Sequence, residues 1–343
     1  MNKTIRDVAQ RAGVAVSTVS LVINRKGRVS KETEQKVLKA IEELNYHPQR
    51  VARGLVTKRS GNLGFILSSD HFSQAEPFYT KIFLGTEFEA RSHDYYILLT
   101  TIEKQTGSFA IPRFLLERNV DGVILAGTVP RKIIEYVGSR NLPLVLVDYS
   151  LSRGNFSAVL IDNVGGISQA TQHLIDLGHR RIAFIGGDMS HPSMKERCQG
   201  FRQTMEENRL PVNAQSICCD QPLTGPAEGF AAANRLLAAK TKFTALVGAN
   251  DAMAVGALRA CRDQKLRIPE DIAITGFDDV ETAITARPTL TTVQVPKEEM
   301  GALAVRHLVN IINGKATMGT KMIVPVKLVC RESTSCRVRE TSE

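Results

Sequence analysis

Apolar positions along this chain change their period once, near residue 61. Before it they recur every three or four residues, the spacing that lines one face of a helix. "IRDVAQRA" places Ile5, Val8, Ala9 and Ala12 on one side; Thr4 and Asp7 have the spacing of a capping box, and Gly13 ends the run. In "VSTVSLVIN", Val19, Val22 and Ile23 turn inward while Val16, Ser17, Ser20 and Leu21 lie on the outer side. Ser30 caps a third helix, "KETEQKVLKAIEELN", with Val37, Leu38, Ile41 and Leu44 as its apolar stripe. Two short helices joined by a Gly-containing turn and closed by a third predict an all-α helix-turn-helix headpiece over residues 1–46. Residues 47–60 are a separate linker, "HPQRVARGLVTKRS". There Val51, Ala52, Leu55 and Val56 sit at helical spacing among Arg50, Arg53, Lys58 and Arg59. Pro48 can start a helix, but residues 49–56 supply barely two turns, too few to be stable alone in water.

Beyond residue 61 short apolar runs alternate with amphipathic stretches. "NLGFILSS", "YYILLTT", "DGVILAG", "LPLVLVDYS", "AVLIDN", "RIAFIGG", "FTALVGAND", "DIAITGFDD" and "LTTVQVP" read as strands, and 163–177, 195–208, 226–239 and 296–312 as helices. Near-continuous apolar strands separated by helices imply an α/β body with parallel sheets covered on both faces.

The chain has 343 residues, more than the roughly 250 at which single cores stop growing, so several domains are expected. With 43% hydrophobic and 23% charged residues the composition is that of a globular protein. Net charge is +9, and residues 1–60 hold thirteen Lys and Arg against five Asp and Glu. That surplus of eight leaves one positive charge for all the rest, so the cationic footprint is confined to the helical end. A basic helix-turn-helix attracts phosphates and lays its second helix in the major groove of DNA. The polar start lacks the apolar run of a secretory signal, and no segment has the ~18 uncharged apolar residues of a membrane span, so a cytoplasmic protein without a membrane partner is expected. Six cysteines, at 198, 218, 219, 261, 330 and 336, include no C-x-x-C pair and no companion histidines at zinc spacing. Free thiols are expected, with no metal and no cofactor.

Candidate chemistry gathers at strand ends, where open α/β sheets bind ligands. Asp148 follows "LVLV", Asn250 and Asp251 follow "ALVGA", and Asp278 and Asp279 follow "AITGF". Carboxylates and amides pair with vicinal hydroxyls, as a sugar presents them, and Arg197 in "SMKERCQGF" offers a forked donor. Asp148, Asp251 and Asp279 could equally cap a helix or fix a loop, whereas Arg197, Asn250 and Asp278 are expected to touch ligand. An enzyme is not favoured: "FDD" or Cys218 with Cys219 could suggest a reactive centre, but no Ser-His-Asp grouping, H-E-x-x-H, Walker loop or G-x-G-x-x-G accompanies them.

The segment "TIRDVAQRAGVAVSTVSLVINRKGRVSKETEQKVLKAIEELNYHPQRVARGL" resembles the DNA-binding end of the lactose-repressor/galactose-repressor (LacI/GalR) family of bacterial transcription regulators. The likeness continues through "LGHRRIAFIGG", "GANDAMAVGAL", "IPEDIAITGFDD" and "PTLTTVQVP". It implies a two-lobed, periplasmic-binding-protein-like body crossed three times by the chain. One lobe would hold 61–162 and 293–322, the other 163–292 and 323–333, with 334–343 a disordered tail. It implies a homodimer, nucleoid-associated when bound, acting as a repressor on pseudo-palindromic double-stranded operator DNA, its affinity set by an effector between the lobes. Helix 79–92 is a candidate dimer surface, and the tail lacks the heptads of a tetramer.

Carried over residue by residue, Val16, Ser17 and Leu21 match positions that meet base edges. Ile5, Asn24, Ser20, Ser30, Thr33 and Tyr46 match positions that hold the DNA backbone; Gln49 and Ala52 match contact sites of a hinge helix that orders on DNA. Leu55 matches the residue that wedges between central base pairs; its competing reading is packing against the three-helix core. Phe78 and Tyr79 match aromatics that cover a sugar face or stack a purine, one of the two being core, and Asp148, Arg197, Asn250 and Asp278 complete the implied effector site. The chain departs from the family's pattern at Leu21, where many relatives have arginine, at Ala15, where a serine N-cap is usual, and in lacking any tryptophan near "CCDQPLTGPAEGF". A sugar effector is the favoured implication, a purine co-repressor its rival. A transport-type sugar-binding protein would share the body but leave the basic headpiece unexplained.

Overall fold

The structure, a computed structural model, describes residues 3–23, 29–46, 59–69, 77–103, 110–151, 154–239 and 242–334. Asn24, Gln49, Ala52, Leu55, the expected hinge helix and the tail beyond Thr334 lie outside them. Residues 1–61 and 62–343 form two units.

In the first unit, α1 (Ile5–Ala12), α2 (Val16–Ile23) and α3 (Lys31–Glu43) follow the expected order. The Thr4 hydroxyl accepts from the Asp7 N–H, and the Asp7 carboxylate accepts the Thr4 N–H at 2.7 Å, so two donors that no helix turn can satisfy are paired. Gly13, at φ 66°, makes the left-handed turn that ends α1, and the Val14 N–H closes back on the Ala9 carbonyl at 3.0 Å. Val8, Ala9, Val19, Val22, Val37, Ala40 and Tyr46 form the buried core. Leu38, expected in the α3 stripe, is instead 51% exposed. It lies about 100° around the helix from Val37, and Ala40 fills the inward arc that a leucine there would have taken.

The second unit begins with β1 (Asn62–Ser68), α4 (Phe78–Ser92), β2 (Tyr96–Ile102), α5 (Arg113–Leu116), β3 (Gly122–Ala126), α6 (Arg131–Ser139), β4 (Leu144–Val147) and β5 (Ser157–Ile161). The chain then builds a second lobe from α7 (Asn163–Asp176), β6 (Ile182–Ile185), α8 (Pro192–Glu207), β7 (Ile217–Cys218), α9 (Pro226–Ala238), β8 (Ala245–Gly248), α10 (Asp251–Asp263), β9 (Ala273–Asp278), α11 (Glu281–Thr285) and β10 (Thr291–Gln294). It returns to the first lobe for α12 (Lys297–Ile312) and β11 (Lys321–Val324), and ends in the second with β12 (Lys327–Val329).

The two sheets repeat one topology. The first runs β2-β1-β3-β4-β5-β11, every pair parallel; the second runs β7-β6-β8-β9-β10-β12, parallel except that β12 lies antiparallel on β10, with Val293 opposite Leu328. In each the chain winds outward both ways from one strand, so both sheets have a switch point where ligand-binding loops collect. β10 and β11 lie whole in the second and first sheets respectively, so the sequence divisions at 292/293 and 322/323 cut through strands. The crossings fall after Gln294 and after Val324.

One apolar cluster, with Phe65, Ile124, Val145, Phe184, Val247, Phe277 and Leu308 at its centre, draws buried residues from both lobes. α4 and α12 touch closely because Gly85 and Gly301 remove side chains there: a Cβ on Gly85 would lie 1.9 Å from the Glu298 carbonyl oxygen. Thr334, assigned by sequence to the disordered tail, is buried. Ser333 donates to the Ile274 carbonyl and Thr334 is paired with Thr291 at 2.8 Å, so hydroxyls carry the chain end across sheet two. Among the described residues no helix is long and apolar enough to cross a membrane.

Candidate functional site

The headpiece presents α2 outward as its sequence expects. Val16 and Leu21 are each 41% exposed, Ser17 is exposed beside them, and Ser20 is half-buried. Val16, Ser17 and Leu21 therefore leave a mixed apolar and hydroxyl surface on the outward side of α2. Ser30 caps α3, its hydroxyl accepting the Thr33 N–H at 3.3 Å and pairing with the Thr33 hydroxyl at 2.9 Å. Ile5 is half-buried at the start of α1. Tyr46 packs into the core at 9% exposure, so its ring belongs to the headpiece interior.

In the body, polar side chains converge from both lobes onto the carboxyl ends of β4 and β9. Asp148, just past β4 at φ 56°, accepts the Tyr79 hydroxyl at 2.8 Å and, from the second lobe, the Ser193 hydroxyl at 2.9 Å. His191 Nε2 is 3.9 Å from the same carboxylate. Pro192 at the start of α8 and the His191 cap set the angle at which Ser193 leaves that helix. Asp278, the last residue of β9, has φ 109°, a conformation that costs a side-chain-bearing residue energy and is kept where the surroundings over-determine it.

Arg197, 2% exposed, locks the second-lobe half. Its Nε donates to Asn163 Oδ1 at 2.9 Å, Nη1 to the Ala249 carbonyl at 2.7 Å and Nη2 to Asp278 Oδ1 at 3.1 Å. The guanidinium carbon lies over the Phe277 ring, 3.8 Å from its centroid, a cation–π contact. Lys297, at the start of α12 and 3% exposed, donates to the backbone carbonyls of Asp278, Asp279 and Val295. Thus Ser193 and Lys297 each tie one lobe to the other beside the crossings. Burial pushes the Asp278 carboxyl up while Arg197 and Lys297 pull it back; burial pulls the Lys297 ammonium down, and burial with the Asp148 charge holds the Tyr79 phenol well above its usual range.

The structure brings Tyr79, Asp148, Arg197 and Asp278 into one cluster. Phe78 is as buried as Tyr79, its ring edge-on to Tyr79 at 5.1 Å, and Lys297 Nζ lies 6.0 Å from its centroid, so both aromatics pack inside. Asn250 caps α10, its Oδ1 accepting the Met253 N–H while Nδ2 donates to the Thr224 carbonyl. Asp251 is fully buried, accepting from Thr292 and the Val280 N–H, and burial with Asp278 nearby pushes it up to about 8. Asp279 is held by Arg331 at 2.6 Å and by Gln294. Sequence reasoning missed Asn163, Ser193 and Lys297. Asn163 does stand at a strand end in "AVLIDN", the pattern that marked Asp148; nothing local distinguishes Ser193 or Lys297.

A cationic helix-turn-helix joined to a two-lobed body with a polar cluster between its lobes defines a DNA-binding regulator with an effector-binding domain. Residues 4–49 match the model of bacterial regulatory proteins of the lacI family, and residues 171–334 match the periplasmic binding protein-like domain. The HTH-type transcriptional repressor PurR of Proteus mirabilis is 35% identical over 96% of each chain. A structure of the transcriptional regulator CelR–cellobiose complex is 32% identical, with TM-score 0.73 over 97% of this chain and 100% of that one. The lac repressor dimer bound to operator and the anti-inducer ONPF is 28% identical, with TM-score 0.80 over 97% and 99%. The chain belongs to the lacI family of bacterial regulatory proteins: it is a DNA-binding transcriptional regulator, not an enzyme.

Proposed function

We propose that this regulator is a homodimeric, cytoplasmic repressor that binds a pseudo-palindromic operator through α2 and a hinge helix, and that a sugar between the lobes sets its affinity. Val16, Ser17 and Leu21 would meet base edges; with leucine in place of a bidentate arginine, the apolar contact would be to thymine methyl groups. Ile5, Ser20, Asn24, Ser30 and Thr33 would hold the phosphate backbone, and Tyr46 would shape that surface from within. Gln49, Ala52 and Leu55 would act in the minor groove, leucine unstacking a base step at about a few kcal/mol. Dimer contacts would come from α4 and its neighbour β2, where Leu84, Phe88, Tyr96 and Leu99 are exposed apolar residues.

The observation that carries the sugar reading is the arrangement of Asp148 with Tyr79 and, across the lobes, with Ser193, beside the Asp278–Arg197 pair of the second lobe. Carboxylates already hydrogen-bonded to hydroxyls can exchange those partners for the hydroxyls of a sugar, and Arg197 can fork onto adjacent oxygens. The CelR–cellobiose structure supports the same class. A sugar that binds the two lobe arrangements unequally shifts their populations, and with them the spacing of the hinge segments on DNA. A thermal-shift screen of sugars, sugar phosphates and purine nucleobases tests it: a sugar should raise Tm, and Asp148→Asn should weaken that rise. Stabilisation by a purine and by no sugar would replace this effector class.

A further inference from the structure

Two cavities of about 480 and 500 Å³ open on the second lobe at one place, where α8 passes the end of β7, and Arg202 lines both. Neither is lined by the polar cluster between the lobes. Cys198 lines the first and Cys219 the second, and their sulfurs stand 3.9 Å apart, the Cys219 thiol donating to the Cys198 sulfur. Cys198 is buried and Cys219 half-buried, and each lines one of these openings.

We propose that Cys198 and Cys219 form a peroxide-oxidisable pair that closes to a disulfide between α8 and the end of β7. The two sulfurs are unequal. The hydrogen bond from Cys219, helped by Arg202 one turn along α8 and opposed by burial, pulls the Cys198 thiol down to about 6. The bond to Cys198 and then burial push Cys219 up. Cys198 is therefore the nucleophile and Cys219 the resolving thiol, because the thiolate is the reactive form. The Cys198 thiolate attacks one oxygen of hydrogen peroxide and the O–O bond breaks. This leaves Cys198 as a sulfenic acid, and the departing hydroxide takes up the proton the thiol had released. The Cys219 sulfur then attacks the Cys198 sulfur, forming S–S and breaking S–O; the oxygen leaves as water with the Cys219 proton. Two thiols give up two electrons and two protons, and one peroxide becomes two waters. Closing requires the sulfurs to approach by about 2 Å, to the ~2.05 Å of a disulfide. Cys198 directly follows Arg197 in α8, so the pair sits on the helix that carries the buried guanidinium.

Cys218 is held on other partners, its sulfur accepting from Arg235 at 2.6 Å and bonding Asp220 at 3.4 Å. Cys330 is exposed and serves as an internal comparator. The test titrates the full chain with hydrogen peroxide, alkylates the remaining thiols and maps peptides by mass spectrometry. Cys198 and Cys219 should disappear together, one peroxide per pair, as an intramolecular link two hydrogens lighter than the dithiol and reversed by dithiothreitol. C218S should keep the link; C219S should abolish it and leave Cys198 as a sulfenic acid that dimedone traps. Iodoacetamide labelling of Cys198 should rise through pH about 6 in the unmodified protein, and at higher pH in C219S. Persistence of both thiols while Cys330 oxidises, a link through Cys218, or a link between two molecules would overturn the proposal.

Discussion

Arg197→Met separates the two jobs of the cleft arginine. Methionine fills much of the same volume without charge, leaving Asp278 Oδ1, the Ala249 carbonyl and Asn163 Oδ1 without the donors they now have. Breaking a buried ion pair from one side costs about 3–5 kcal/mol, chiefly because the surviving carboxylate stays buried. Asp278→Asn in the same chain removes that charge, so the double variant should recover on the order of 2 kcal/mol relative to the sum of the single ones. The deficit should also depend on pH. Burial already raises Asp278, and Arg197 is the leading group that pulls it back, so without Arg197 its folded pKa rises further above the ~3.9 of an unfolded chain. A carboxyl raised on folding contributes stability that is intact below the unfolded value and lost as pH climbs to the folded one. Arg197→Met should therefore be nearer to the unmodified protein at pH 5 than at pH 8. Urea unfolding followed by circular dichroism at both values measures this. Strictly additive single costs, with a deficit equal at the two pH values, would refute the pairing argument.

Leu55→Ala should weaken operator binding far more than non-specific binding, and equal weakening of both in a filter-binding titration would remove the wedge role. A chain starting at Asn62 should lose nearly all salt-dependent DNA affinity, since residues 1–60 carry eight of the nine surplus charges; steep salt-dependent binding by that body would contradict it. Gly85→Ala should cost about 1–3 kcal/mol, because the new Cβ meets the Glu298 carbonyl and α4 must move from α12. An unchanged melting temperature in calorimetry would show that the helices yield freely.

What was legible in the sequence follows from how local each determinant is. The headpiece caps are set by residues three apart, so Thr4–Asp7 and Ser30–Thr33 were readable directly. Strands buried on both faces, such as "LVLV", announce themselves as apolar runs. The edge strand β2 was read from "YYILLTT", but β11 and β12 are short, carry lysines and meet their sheets only at the end of the chain, and both went unnamed. Helix α10 carries four alanines and a glycine and exposes only a narrow strip, Arg259, Arg262 and Asp263 with half-buried Val255, so its polar face is slight in the sequence. In the cleft, strand-end position marked Asp148, Asn250, Asp251, Asp278 and Asp279 alike, and only tertiary partners separate them. Asn250 and Asp251 are consumed by α10 and the sheet behind it and Asp279 by Arg331, while the Asp148 carboxylate meets Ser193 of the opposite lobe and the Asp278 carboxylate meets Arg197. No spacing rule could have joined Ser193 to Asp148, 45 residues away.

Linkage between the cleft and DNA is the claim on which the functional account stands. An operator duplex selected from a randomised palindromic pool, titrated by fluorescence anisotropy with and without the sugar that most stabilises the body, measures it directly. The account requires operator affinity to change about tenfold or more on saturation, on the order of 1.4 kcal/mol of coupling, and Arg197→Met to abolish the change. An operator affinity identical in the presence and absence of a sugar that demonstrably occupies the cleft would contradict it.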